Sequence, residues 1–227
     1  MKHILITGGS DGLGKITAKR LQERHHKVTI LSDNPENARS AAEEIGCGYV
    51  VANVADAGAV QSAISQAEGY NGPIDVLINN AGIWIQGNLE ENDPAYIEQV
   101  MRVNALGPIY CTHAVLVGMK QRRAGKIINV ISQAGLTSKA ERSVYNSSKW
   151  ALTGFTKSMQ DELKPYNIAV MGFYPGALQT GLFAKAGYQR DMSKALNPAL
   201  AANALTFMCE HPEGVTIPEF GITSLSY

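Results

Sequence analysis

The sequence predicts an α/β fold in which a doubly wound parallel sheet is covered by helices on both faces. Three observations predict it. Short β-branched and aliphatic runs alternate with longer helical patterns along the whole chain, the signature of repeated βαβ units. Several runs, such as Ile4-Leu5-Ile6 and Val76-Leu77-Ile78, are apolar at every position, as strands buried on both faces must be. A glycine-rich turn joins the first run to the first helical pattern.

In chain order, strands are expected at 4–7, 28–31, 48–52, 76–79, 126–131, 168–174 and 215–222. Each is a short run of Val, Ile, Leu or aromatic residues, which suit a pleated buried surface. Helices are expected at about 12–24, 35–45, 57–68, 94–122, 143–166 and 198–209. The first opens directly from the glycine turn. Pro35, Pro94 and Pro198 suit first helical turns, where a missing N–H costs nothing. Asp93 and Asn197 stand just before the last two prolines as capping residues. No repeat, low-complexity tract or linker interrupts the pattern, so one domain over 1–227 is the economical reading.

Composition narrows the function. With 227 residues the chain is long enough to bury a substantial core. The formal net charge is zero and no basic block is present, so nothing suggests attraction to nucleic acid or an anionic membrane. No apolar run approaches the ~20 residues that span a bilayer, and the three apolar residues before the first turn are too few for a signal-peptide core. Cys47, Cys111 and Cys209 are odd in number and far apart, which favours reduced thiols and a cytoplasmic setting. The five histidines lack ligand spacing, so no metal site is expected.

Tyr145-Asn146-Ser147-Ser148-Lys149 carries the most chemistry. Residues at i and i+4 share one helical face, so Lys149 can lie beneath the Tyr145 hydroxyl. A nearby cation lowers a phenol's pKa from its usual ~10 and fits it for proton transfer. At the other end, Thr7-Gly8-Gly9-Ser10-Asp11-Gly12-Leu13-Gly14 lies between a strand and a helix. Glycines there permit a tight turn and close approach of a pyrophosphate to a helix N-terminus; an ordinary Gly-rich β–α turn is the alternative. After the second strand, Asp33 in Ser32-Asp33-Asn34-Pro35 can accept from an adenosine ribose and repel a 2′-phosphate. Asp11 adds a second negative charge, and together they favour NAD over NADP. Asp33 also suits a solvated turn, and Ser32 could hold the ribose position instead.

These motifs, with Asn79-Asn80-Ala81-Gly82, Asn104 and Ser132, occur in an order that resembles the short-chain dehydrogenase/reductase family over about residues 3–222. The resemblance implies a Rossmann-type seven-stranded parallel sheet of order 3-2-1-4-5-6-7. It implies a catalytic set of Asn104, Ser132, Tyr145 and Lys149. It also implies cofactor contacts from Gly8, Ser10, Gly12, Leu13 and Gly14 in the turn, with Asp33 beyond it. Asn53 and Val54 would lie at the adenine, Asn80, Ala81 and Gly82 along the adenosine side, and Pro175, Gly176, Leu178 and Thr180 beside the nicotinamide. Tyr145 and Lys149 would contact the cofactor as well as act on the substrate. The family usually has Asp where Asn53 stands, and the 215–222 ending departs from that of many sugar and steroid relatives.

In this picture Tyr145 exchanges a proton with the substrate oxygen, Ser132 hydrogen-bonds that oxygen, Lys149 holds the nicotinamide ribose, and Asn104 anchors a water leading to solvent. A kink residue without proton role is the alternative for Asn104, whose amide is ill suited to mid-helix beside Gly107-Pro108. Gln133, Trp84, Ile85, Tyr174 and the segment 177–195 are expected around a small, open substrate pocket, with a mobile lid over about 177–197. Trp84 reads equally well as core, and Trp150 as packing at a subunit interface. Lys185 and Arg190 suit solvated charge better than a substrate carboxylate. Relatives pair the helices at 94–122 and 143–166 across a two-fold axis, which implies a homodimer or homotetramer. The expected activity is hydride transfer between NAD and a small ketone or secondary alcohol. The same enzyme using NADP, or a non-catalytic NAD(H)-binding regulator, remains the alternative.

Overall fold

In strand β1 (His3–Thr7) every residue is buried, and successive side chains point to opposite faces. Ile4 and Ile6 join one apolar cluster, Leu5 another. The computed structural model, which describes residues 1–225, repeats this arrangement across the sheet. The further strands are β2 (Lys27–Ser32), β3 (Gly48–Val51), β4 (Val76–Asn79), β5 (Gly125–Val130), β6 (Ile168–Pro175) and β7 (Glu219–Ile222). All seven pair in parallel in the order β3-β2-β1-β4-β5-β6-β7.

Helices α1 (Gly12–Glu23), α2 (Pro35–Ile45) and α8 (Pro198–Glu210) cover one face, their Ala, Leu and Met side chains meeting Ile4, Ile6, Val28 and Ile30. Helices α3 (Ala57–Asn71), α5 (Gly107–Arg122) and α6 (Ser143–Leu163) cover the other through Val60, Ile64, Val115, Met119 and Leu163. The chain order reverses at β1, which lies between β2 and β4. Connections therefore diverge at the carboxyl ends of β1 and β4 and leave a crevice there.

Several boundaries differ from expectation. The run 215–222 reads as one strand, yet pairing begins only at Glu219, opposite Gly172. Pro218 has no N–H to donate to a ladder and instead accepts from the Gly172 amide at 2.9 Å. The stretch 94–122 is three pieces: α4 (Pro94–Met101), a π-helical turn over Arg102–Leu106, and α5. By length and composition alone Pro94–Arg122 would suffice to cross a membrane, contrary to the sequence expectation, but half of its most apolar window is buried within the fold. Helix α3 runs three residues past 68 and stops before Gly72, whose φ of 82° ends it. The 143–166 helix closes with a 3₁₀ turn over Lys164–Tyr166, because Pro165 cannot continue an α ladder. A short helix α7 (Leu182–Lys185) lies in the lid segment, where none was expected.

A buried polar ladder fixes α6 to the sheet. Asn79 Nδ2 donates to Asn129 Oδ1 at 2.8 Å, Asn129 Nδ2 to Thr156 Oγ1 at 2.8 Å, and Thr156 Oγ1 to the Leu152 carbonyl at 2.7 Å. Asn129 and Thr156 are fully buried. Such pairing sets the height and rotation of the helix that carries Tyr145 and Lys149.

Candidate active site

The glycine turn follows β1 and is held from the end of β4. The Thr7 hydroxyl accepts from the Asn80 and Ala81 amides, both at 3.0 Å, and Asn80 Nδ2 donates to the carbonyls of Thr7 and Gly8 at 3.0 Å. Backbone packs on backbone here. A Cβ on Gly8 would stand 2.9 Å from the Ala81 Cα, and one on Gly14 would stand 2.6 Å from Asn80 Nδ2 and closer still to the Gly8 oxygen. The turn opens α1, whose N-cap Asp11 makes no side-chain capping bond. The first amides of α1 are thereby left to an external anion.

At the end of β2, Ser32 is buried and its hydroxyl lies 3.0 Å from that of Ser10, while Asp33 is exposed just beyond. Asn53 follows β3 and turns its Oδ1 back to the Ala55 amide at 2.9 Å. Val54 is buried in the core against Gly107.

The catalytic candidates converge from three elements. Tyr145 and Lys149 lie on one face of α6, both buried. Ser132 stands beyond the end of β5 with φ at +117°, a strained value for a residue with a side chain and one characteristic of functional sites. Its hydroxyl accepts from the Ala134 amide at 3.2 Å and lies near enough to the Tyr145 phenol to lower its pKa. Burial pushes the phenol up to about 12, and the Ser132 hydroxyl and the Arg142 guanidinium only partly offset it. Burial also brings the Lys149 ammonium down to about 8. This corrects the electrostatic expectation. Lys149 lies 5.8 Å from the Tyr145 ring centre and donates to the Val130 carbonyl at 3.2 Å, and it is not what draws the phenol's pKa down. At neutral pH the phenol keeps its proton.

Asn104 occupies the π-helical turn and is fully buried. Its amide clamps Ile83, accepting from the main-chain N–H and donating to the carbonyl, both at 2.9 Å. It also donates to Ser148 Oγ at 3.1 Å, which in turn donates to the Tyr145 carbonyl at 2.7 Å. Gly82 makes room: a Cβ there would meet Asn104 Oδ1 at 3.2 Å and Lys149 Nζ at 3.7 Å. The kink and the clamp are one feature, since the π turn aims the amide at Ile83.

A cavity of about 370 Å³ joins these parts. Its walls include Gly8, Gly12, Leu13, Asn80, Ala81, Gly82, Ser132, Tyr145, Lys149, Pro175, Gly176, Leu178 and Thr180. Ser10, Gly14, Asp33, Asn53, Val54 and Asn104 stand outside it, the first five towards the β2 and β3 side or beneath the turn, Asn104 behind Gly82. Trp84 and Gln133 line the cavity, whereas Ile85 does not and Tyr174 is buried against Ile131 and Leu152. Trp84 is core and wall at once: its ring centre is 4.3 Å from that of Tyr145 and 4.6 Å from that of Phe183 in α7. The segment expected as a lid is held to the rest of the fold by Lys185, which pairs with Asp11, and by Tyr188, which donates to the Gln86 carbonyl. Trp150 is half exposed on α6.

Four positioning residues are not evident from the sequence. Thr7 and Ser148 sit inside motifs whose neighbours carry the recognisable chemistry, and Asn129 reads as an ordinary strand residue. Arg142 stands three residues before Tyr145, a spacing that places a cation on the same face.

The family model described as short chain dehydrogenase matches residues 2–191. Over 204 residues the chain is 34% identical to 3-ketodihydrosphingosine reductase of Bos taurus, covering 86% of this chain and 61% of that protein. The chain thus spans about three fifths of the length of that curated relative. Among solved structures, the 3-ketoacyl-(acyl-carrier-protein) reductase of Brucella melitensis complexed with NADH superposes with a TM-score of 0.91 at 27% identity, covering 98% of this chain and 96% of that one. The closed form of serine dehydrogenase complexed with NADP+ gives 0.91 at 25%, over 99% and 96%.

Proposed function

The chain belongs to the short-chain dehydrogenase/reductase family, and from that premise we propose that it transfers hydride between a nicotinamide dinucleotide, NAD in preference to NADP, and a small ketone or secondary alcohol. One observation carries the reading: Ser132, Tyr145 and Lys149 meet in the cavity that also contains the glycine turn. The residues present fit the dinucleotide. Gly8, Gly12 and Leu13 of the turn line the cavity, and α1 presents amides without a side-chain cap. Gly8, Gly12 and Leu13 would hold the pyrophosphate, with Ser10 and Gly14 shaping the turn. Asp33 and Asn53 would take the adenosine, Val54 its apolar side. Pro175, Gly176, Leu178 and Thr180 would flank the nicotinamide, and Asn80, Ala81 and Gly82 the ribose between. When bound, the dinucleotide supplies or accepts the hydride.

Everything else falls to the chain's own groups. Ser132 and the Tyr145 phenol together donate to the substrate oxygen and stabilise the charge that develops on it. A phenol held above its ordinary pKa keeps its proton through neutral pH, which suits a general acid and favours carbonyl reduction. Lys149 would hold the ribose, and the groups that favour the phenolate left after proton transfer are Ser132 and Arg142. Asn104 positions Tyr145 through Ser148 and fixes the Ile83 backbone. Asp33, exposed just beyond β2, supports the NAD preference, since it would repel a further phosphate; Asp11 adds little, because Lys185 pairs with it. The half-exposed Trp150 on α6 and the exposed Val117 on α5 support pairing of two copies through these helices.

Tyr145→Phe should lower turnover of ketones at least a thousandfold while NADH affinity stays within threefold; retained turnover would refute the acid assignment. Asp33→Arg should reverse the ratio of kcat/KM for NADH over NADPH. An unchanged ratio would overturn the NAD preference and leave the carbonyl reductase reading intact.

A further inference from the structure

The charges lining the catalytic cavity are lopsided: five basic side chains accompany a single acidic one, Asp11. Lys185 pairs with Asp11 at the head of α1, and Lys149 stands beside Gly82, so two of the five belong to the cofactor side. Arg142 and Arg190 gather around the aromatic wall. The Arg142 guanidinium lies 5.3 Å from the Trp84 ring centre, and that of Arg190 lies 5.3 Å from the centre of Phe183. Arg190, expected as solvated charge, is half-buried, whereas Lys185 is exposed. A cleft lined by one sign of charge concentrates ligands of the other.

Asn146 points the same way independently. It is 7% exposed, lines the cavity and lies one helical turn beyond Arg142, on the α6 face that carries Tyr145 and Lys149. Its main-chain N–H donates to the Arg142 carbonyl at 2.8 Å, whereas its side-chain amide bonds to no described residue. Neither amide atom is sealed from the cavity. A buried polar group without a partner costs about 1–3 kcal/mol, and native folds rarely keep one without a reason. A ligand that pairs with the amide removes that cost.

We propose that Arg142 and Asn146 form a carboxylate subsite, and that the enzyme's substrates are oxo acids whose carboxylate is held away from the reacting carbonyl by a short methylene spacer. The inference rests on the hydride-transfer reading above and deepens it, with an anionic ketone in place of a neutral one. A guanidinium presents five N–H donors in a planar fork that matches a carboxylate, enough to serve a ligand beside its contacts within the fold. Asn146 Nδ2 adds a donor from the same face of α6. Ser132 and Tyr145 take the reacting oxygen, while Arg142 stands three residues earlier, about 4.5 Å of helix rise towards the start of α6. The carboxylate therefore sits a few bonds from the carbonyl. A neutral ketone leaves the Asn146 amide unpaired, and that penalises the wrong substrate.

The test compares 5-oxohexanoate with its methyl ester, which keeps the skeleton and removes the charge. Wild type should favour the acid at least tenfold in kcat/KM; equal values would overturn the proposal. Arg142→Met and Asn146→Leu should each cut that preference about tenfold, the equivalent of one hydrogen bond to a charged group. The ratio cancels any general effect of Arg142 on the Tyr145 phenol. A preference kept within twofold by either variant would overturn the subsite. 2-Oxopropanoate has no spacer and should gain nothing over its methyl ester; an equal gain there would overturn the spacer. A second readout is independent of turnover. Hexanoate and hexan-1-ol have no carbonyl, and their binding to NADH-loaded wild type is read by the fluorescence of the bound nicotinamide. Hexanoate should bind at least tenfold more tightly and lose that margin in Asn146→Leu; equal binding of the two overturns the proposal. Failure of the hydride-transfer reading appears separately, as no NADH oxidation with these or neutral ketones, and hexanoate binding then still decides the subsite.

Discussion

Gly14→Ala tests how tightly the cofactor turn is built. An alanine Cβ at this position would meet the Gly8 carbonyl oxygen first and lie 2.6 Å from Asn80 Nδ2, well inside the ~3.5–4.0 Å of a relaxed non-bonded contact, so both must move by about 1 Å or more. Asn80 cannot retreat cheaply. Its Nδ2 holds the Thr7 and Gly8 carbonyls, and its main-chain N–H meets the Thr7 hydroxyl. Overpacking of this kind costs about 1–3 kcal/mol, against which alanine returns up to about 1 kcal/mol of helix propensity. The expected net is a destabilisation of about 0–2 kcal/mol, with the turn amides displaced from their positions. NADH affinity, read by the fluorescence of the bound nicotinamide, should fall at least tenfold, or about 1.4 kcal/mol. Gly69→Ala is the matched control. That glycine lies in α3, where an added methyl would have nothing within 4 Å of it. The same substitution there should stabilise the fold by about 0.5–1 kcal/mol and leave NADH binding unchanged. Gly14→Ala binding NADH within twofold of wild type would refute the close-packing argument, as would an equal loss in Gly69→Ala.

Three further outcomes follow from the site and its support. Lys149 has a folded pKa of about 8, below its ordinary 10.5, while the Tyr145 phenol stays protonated to about 12. The kcat/KM for carbonyl reduction should therefore be level at neutral pH and fall through about pH 8 as Lys149 loses its charge, a limb that Lys149→Met should abolish. For stability the sign is opposite: between about pH 8 and 10.5 the unfolded chain binds the Lys149 proton and the folded chain does not, so this group's contribution rises with pH in that window. Asn129→Ala removes the acceptor of Asn79 Nδ2 and the donor to Thr156, and should cost about 2–4 kcal/mol in urea denaturation; a loss below about 1 kcal/mol would mean the ladder does not hold α6.

The sequence by itself determined the parallel α/β architecture, because strands buried on both faces must be apolar throughout and helices must carry caps and prolines at their starts. It determined the glycine turn and the Tyr145–Lys149 spacing for the same reason: both are local geometry, written in consecutive residues. It misplaced the start of β7 and joined α4 to α5, since Val215–Ile217 and the 94–122 run satisfy local preferences that the ladder and the π turn override. Only the tertiary structure decided the electrostatics. The pKa of Tyr145 depends on how much water burial removes and on Ser132 and Arg142, which come from elsewhere in the fold or from the helix start; desolvation outweighs both, and Lys149, the cation expected to act, is not among its causes. The roles of Thr7, Asn129 and Ser148 likewise exist only once distant segments meet, because a hydrogen-bond partner is a fact of space and has no trace in spacing along the chain.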